Sequence, residues 1–271
     1  KLVPIMAVIY FGGALVVVAE NYQNIIPSFH SIFSQVFSGS AAAGGFLGAS
    51  FAMSLKLGVA RGLYSNEAGQ GSSPIAHASA KAEHSVEQGM VSILEPFIDT
   101  IVVCSVTALV ILSSGAWTQK YDNTFERSSM AIFAGSYAES NSKDVEELGK
   151  YILDARNFTS DTTNVENFTG SLDLIDGQMQ KQNVTVFHNN SIAEDVVFYQ
   201  GGEPVSGLLE ISDGKIADSS VRVEGKSLIH SAELTSKAFG SGVLGIYGEY
   251  IVAIGLLLFA FSTAIAWSYY G

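Results

Sequence analysis

The sequence predicts an all-α membrane core interrupted by a soluble α+β or β-rich insert, and three observations carry that class. Charge is segregated: ten of the 14 Lys and Arg lie between Lys120 and Lys237, and nineteen of the 26 Asp and Glu between Asp122 and Glu233. The hydrophobic fraction of 48% and mean hydropathy of +0.29 therefore average two unlike populations. Outside the charged block, the runs Leu2–Ala19, Asn21–Leu55, Thr100–Thr118 and Tyr250–Gly271 carry no Asp, Glu, Lys or Arg. A spanning helix needs about 20 such residues, so each run qualifies. Inside the block, polar turns separate short β-rich runs. The expected organisation is 1–118 as three spans with the second broken, 119–237 as an acidic extracellular insert, and 238–271 as a fourth span.

The net charge of -12 resides mostly in the insert, which marks a solvated domain and speaks against nucleic acid as a partner. Cys104 is the only cysteine, so no intrachain disulfide forms; within its apolar run it reads as a small buried residue. The chain opens at Lys1 without Met and stops at Gly271 directly after an apolar run, which reads as truncation at both ends. Leu2–Ala19 lacks the cleavage pattern of a signal peptide and is taken as a helix.

The second run is too long for one straight helix: about 35 residues at about 1.5 Å each give about 50 Å, against a hydrocarbon core of about 30 Å. Its centre, Ser38–Ser50, holds Gly44, Gly45 and Gly48, which lower helix propensity where the excess length can be absorbed. Two readings stand. A break at membrane depth needs a protein-lined or polar surround, whereas small residues also let two helices approach closely. Lys1, Lys56, Arg61 and Lys81 fall on one side if the spans alternate, which places them in the cytoplasm and the insert outside.

Within the insert, Ser142–Leu153 sets Val145, Leu148 and Ile152 at helical spacing behind a Ser cap. Asn183–Phe187 and Val196–Tyr199 read as strands, and Leu208–Ile211 with Lys215–Ile216 as a hairpin on a primed Asp213-Gly214 turn. Asn157, Asn167, Asn183 and Asn189 each begin a glycosylation sequon, usable in a eukaryotic secretory pathway. No metal cluster, nucleophile pattern or phosphate loop is present in the insert.

Glu95 and Asp99 stand four apart at the start of the third span, as transport carboxylates or as interfacial residues. Ser262 and Thr263 in the last span either bond their own helix carbonyls or offer oxygens to a hard cation. Trp267 lies four residues beyond Thr263 on the same face. In the loop after the second run, Arg61 and Glu67 read as an interfacial pair and Gly62, Gly69 and Gly71 allow a tight re-entrant turn, without the spacing of a phosphate loop.

Several motifs occur together: Val3-Pro-Ile-Met-Ala7, Gly44-Gly45 with Gly48, Arg61-Gly62, Ser65-Asn66-Glu67-Ala68-Gly69, Gly71-Ser72, Ala76-His77-Ala78, Gln88-Gly89, Asp99-Thr100 with Cys104, Phe259–Thr263, and Trp267–Gly271. In this order they resemble the alanine or glycine:cation symporter family, over every residue outside the insert. The resemblance implies a leucine-transporter-like inverted-repeat fold and sodium-coupled symport of a small neutral amino acid, alanine or glycine, at the cell membrane. It implies substrate contacts at Gly44, Gly45, Phe46, Gly48, Thr263 and Trp267, sodium ligation by Ser262 and Thr263, and a gate at Arg61, Asn66 and Glu67. It implies no enzyme activity and no organic cofactor. It also implies partners in membrane lipid and in N- and C-terminal helices of the same transporter that this chain lacks. The insert has no counterpart in that pattern; the competing expectation is a transporter-fold sensor or binding protein acting through it.

Overall fold

The computed structural model describes residues 2–38, 51–65, 71–155, 163–180 and 183–270. The chain divides into two units, one of residues 1–34, 52–116 and 231–271, the other of residues 35–51 and 117–230.

The first unit is helical. α1 (Leu2–Glu20) stops at Asn21, whose side-chain amide donates to Val17 O at 2.9 Å and so competes with the helix ladder. A 3-10 turn, Tyr22–Asn24, leads into α2 (Ile25–Ser38), bent by 81° from α1. Then come α3 (Phe51–Ser65), α4 (Ser72–Ala78), α5 (Ser85–Pro96), a π-helical stretch Phe97–Val103 and α6 (Cys104–Ser114). Pro96 explains the π stretch: it has no N–H to give the turn before it, and the ladder resumes one residue wider, Cys104 N–H donating to Asp99 O. α8 (Ser231–Gly240) and α9 (Ile246–Tyr270) complete the unit; α1 packs on α6 and α9, and α8 packs on α6 and α9. Both carboxylate oxygens of Glu20 accept from Val243 N–H, at 3.0 and 3.2 Å, and Lys237 pairs with Glu249 at 2.9 Å. Together these fix the α8–α9 turn to the end of α1.

The second unit holds twelve strands among its described residues and one helix, α7 (Ser142–Ala155). One antiparallel sheet runs β1 (Tyr121–Thr124), β12 (Val221–Ser227), β8 (Glu194–Gln200), β9 (Glu203–Pro204). A second runs β11 (Lys215–Ile216), β10 (Gly207–Ser212), β4 (Gly170–Ile175), β5 (Gln178–Met179). The third runs β3 (Glu166–Asn167), β2 (Met130–Ala134), β6 (Val184–His188), β7 (Ser191–Ile192). Four two-residue turns close the hairpins: Asp176-Gly177, Asn189-Asn190, Gly201-Gly202 and Asp213-Gly214, all eight residues at positive φ. That is the primed geometry whose twist matches paired strands. Ile132, Leu172, Leu174, Phe198, Ile211 and Val223 form the core between strands, while Leu148 and Ile152 of α7 pack with Phe133 and Phe187. Each such side chain contributes about 2 kcal/mol on burial. The cap of α7 is Asn141 rather than Ser142: its Oδ1 accepts from Lys143 N–H at 3.1 Å.

The all-α class is overturned, because alternating apolar residues behind primed turns build three sheets in this chain, which is a mixed helix-and-sheet protein. The leucine-transporter-like assignment falls with it. Among the described residues two helical stretches are long and apolar enough to span, Ser85–Ser114 and Ile246–Ser268, or three if the bent pair Pro4–Glu20 and Tyr22–Ser34 counts as one. That is fewer than the four spans expected, and the described helices give no evidence of an inverted-repeat arrangement. Glu95 and Asp99 lie inside the candidate span Ser85–Ser114, where Glu95 finds polar partners in Ser73 and His77. Cys104 is exposed rather than buried.

Candidate functional site

The helical unit contains a cavity of about 490 Å³, within the range that holds small ligands. Its walls come from five helices and the π stretch. α9 supplies Val252, Gly255, Leu256 and Phe259; α6 supplies Thr107 and Ile111; α1 supplies Tyr10; α8 supplies Ser231, Leu234 and Thr235; α3 supplies Arg61. The glycine gives width because its face of α9 carries no side chain, with nothing within 4 Å of an added Cβ.

One interaction organises the polar side of the cavity. The Thr107 hydroxyl donates to Val103 O at 2.9 Å, so its oxygen is left to accept from the Tyr10 hydroxyl, 2.7 Å away. The Tyr10 ring packs on Phe239 at 5.0 Å between centroids. A hydrogen-bonded bridge thus ties α1 to α6 and rests on α8. Chemically the cavity offers apolar surface, hydroxyls and Arg61, a lining suited to a small molecule with an apolar and a polar end.

A second polar group lies on α4 and α5. The Gln88 amide nitrogen donates to His77 Nδ1 at 2.6 Å, which leaves the proton on Nε2 to be donated to Glu95 Oε2 at 2.8 Å; Ser73 Oγ donates to the same oxygen at 3.3 Å. Among the described residues no group of three or more His, Cys, Asp or Glu is placed to hold a metal ion.

Of the site residues expected from the sequence, Arg61 lines the cavity. Ser262 is half-buried, Thr263 exposed and Trp267 46% exposed, all on α9 beyond Phe259, and none lines the cavity. Gly44, Gly45, Phe46, Gly48, Asn66 and Glu67 lie outside the described residues. Sequence reasoning passed over Tyr10 and Thr107, which are 97 residues apart; a polar-tipped ring in an otherwise apolar run was the available signal. His77 and Gln88 stand in the motifs Ala76-His77-Ala78 and Gln88-Gly89, which by themselves give neither residue a role.

The Sodium:alanine symporter family matches this chain over residues 1–142 and 216–271. An uncharacterized transporter of Bacillus subtilis, YflA, is 48% identical over 118 residues, which are 44% of this chain and 25% of that protein. The sodium/alanine symporter AgcS of Methanococcus maripaludis is 47% identical over 114 residues, 42% of this chain and 24% of that protein. The probable sodium/glutamine symporter GlnT of Bacillus subtilis is 40% identical over 117 residues, 43% and 24% respectively. The matched stretches span about a quarter of the length of these relatives. No solved structure matches the chain.

Proposed function

The chain belongs to the sodium:alanine symporter family, a family of membrane transporters and not of enzymes, and from that premise we propose that it is part of a sodium-coupled symporter for a small neutral amino acid. The observation that carries this is the cavity of about 490 Å³ walled by the apolar helices, with the Tyr10–Thr107 pair and Arg61 on its polar side. An amino acid with a short side chain is amphipathic on that scale, and sodium is a hard cation that takes oxygen ligands. Relatives named for alanine and for glutamine leave the choice of side chain to the pocket; alanine or glycine is proposed here.

The proposed substrate contacts are Gly44, Gly45, Phe46, Gly48, Thr263 and Trp267, with Ser262 and Thr263 as sodium ligands. Support comes from helical spacing. Gly255, Phe259, Thr263 and Trp267 follow one another at intervals of four and form one stripe of α9, whose first two members line the cavity. Arg61, Asn66 and Glu67 are proposed as a gate, with further helices of the same transporter covering the stripe.

The proposed location is the cell membrane, multi-pass, with the segment 119–237 outside. Residues 143–215 fall outside the family match, which favours an accessory role for that segment, in substrate access or partner binding. The test is uptake of labelled alanine and glycine into proteoliposomes of the full-length protein. Accumulation should require an inward sodium gradient; equal uptake without sodium would overturn the coupling.

A further inference from the structure

We infer that Ser73, His77, Gln88 and Glu95 form a polar latch that seats the short helix α4 on α5, and that its opening and closing is a step of the transport cycle. The inference rests on the symport reading, with His77 as a positioning residue rather than a substrate contact.

α4 touches α9 and buries Ser72 at its start, and the latch is what joins it to α5. The helix has seven residues, far below the length at which a helix persists alone. It begins after Gly71, held at φ +78°, and its apolar Ile75 is 45% exposed. Ser73 and His77 are four apart and share a face of α4; Gln88 and Glu95 are seven apart and share a face of α5. Three hydrogen bonds of 2.6, 2.8 and 3.3 Å join the two faces. Both ring nitrogens of His77 are used in one tautomer, so the ring is fixed in register and in orientation.

Where the latch attaches matters more than its strength. Glu95 is the residue before Pro96, and the π stretch begins at Phe97. A proline followed by a π turn is a place where a helix bends, so flexing there displaces Glu95 relative to α4. Glu95 also belongs to the candidate span Ser85–Ser114, where a carboxylate needs partners, and His77 and Ser73 supply them. The side chains of His77 and Glu95 are 24% and 44% exposed. Neither side chain is therefore locked in the packed core of the helical unit, where rearrangement would cost most. The geometry thus joins the glycine-flanked helix α4 to a hinge in a membrane helix.

The test uses the full-length protein in nanodiscs and proteoliposomes, with His77→Ala, Glu95→Leu, the gentler Gln88→Leu, and Glu95→Gln, which keeps an oxygen to accept from Nε2–H. Hydrogen exchange across residues 72–80 reads the latch without any transport assay. It should accelerate at least about tenfold in the first three variants and match the parent in Glu95→Gln. Labelled alanine uptake should change in turnover by at least about fivefold with KM held within about twofold, again sparing Glu95→Gln. Unchanged exchange in His77→Ala and Gln88→Leu overturns the latch, as does Glu95→Gln behaving like Glu95→Leu, or a change carried by KM instead of turnover. A parent protein that takes up no amino acid overturns the symport reading instead, and the exchange result then decides the latch alone.

Discussion

The Nδ1 of His188 lies 2.7 Å from Oγ of Ser227, inside the sheet unit, with the imidazole only 1% exposed and stacked on Phe125 at 4.3 Å. Glu126 N–H and Ser129 Oγ both donate to Nε2, at 3.2 and 3.1 Å, so the ring is neutral with its proton on Nδ1, donated to Ser227. Burial, reinforced by His230 nearby, pushes the His188 pKa down from 6.5 to about 4.

The sign follows from which form the fold prefers. The folded state holds the neutral ring, so the unfolded state binds the extra proton between pH 6.5 and about 4. Stability from this residue is complete above pH 6.5 and falls as pH drops through that window, by on the order of 3 kcal/mol in all. His188→Gln, which cannot titrate, should melt lower than the parent at pH 7, and the gap should narrow at pH 5. Thermal melts at the two pH values check it; a constant gap would remove His188 from the acid response.

Gly177 should tolerate no side chain. It sits at φ +76° with its N–H donating to Val205 O and its carbonyl accepting from Phe198 N–H, both at 2.8 Å, so one hairpin tip is wedged into the β8–β9 hairpin. A Cβ there would come within 2.6 Å of Val197 Cγ1 and 2.8 Å of Phe198 O. Gly177→Ala is expected to cost at least about 2 kcal/mol, from left-handed backbone and the clash together. Gly201→Ala at a similar turn, with nothing within 4 Å, pays only the backbone part, and melting temperatures separate the two.

The parts of this fold that are legible in the sequence are those decided within a few residues. Val145, Leu148 and Ile152 repeat at helical spacing and α7 covers them; Asp213-Gly214 sits between two β-rich runs and closes β10 on β11. What depends on distant partners is not legible. His188 follows a β-rich run, yet its burial is decided by Ser227, which ends β12, and by Phe125, just after β1. The same holds at the site: Arg61 and Phe259 stand in recognisable motifs, but the Tyr10–Thr107 bridge is visible only once α1 meets α6. The whole-chain class failed for a related reason, since the apolar flanks fixed a label that the insert, with its own short-range pattern, does not obey.

The corner between α8 and α9 gives a third expectation. A Cβ on Gly248 would fall on the carbonyl group of Phe239, a backbone atom of α8 that cannot swing away. Gly248→Ala should destabilise the protein by about 3 kcal/mol, seen as a lower melting temperature or loss of the monodisperse peak. Gly12→Ala in α1, with open space around the added methyl, should be neutral or gain up to about 1 kcal/mol in helix propensity.

Variants of Thr263 and Tyr10 test the proposed α9 stripe against the bridge that lines the cavity. Thr263→Val keeps shape and removes one hydroxyl on the α9 stripe; if that oxygen holds sodium or substrate, sodium-dependent alanine uptake should fall at least about tenfold with melting unchanged. Tyr10→Phe removes the bridge to Thr107, whose hydroxyl still has Val103 O to donate to. It should therefore cost about 1 kcal/mol of stability and leave the sodium dependence of uptake intact. Transport kinetics measured against sodium concentration decide between them. A Thr263→Val protein with normal uptake takes the stripe beyond Phe259 out of the site and leaves the cavity of Tyr10, Thr107 and Phe259 as the place where substrate must be sought.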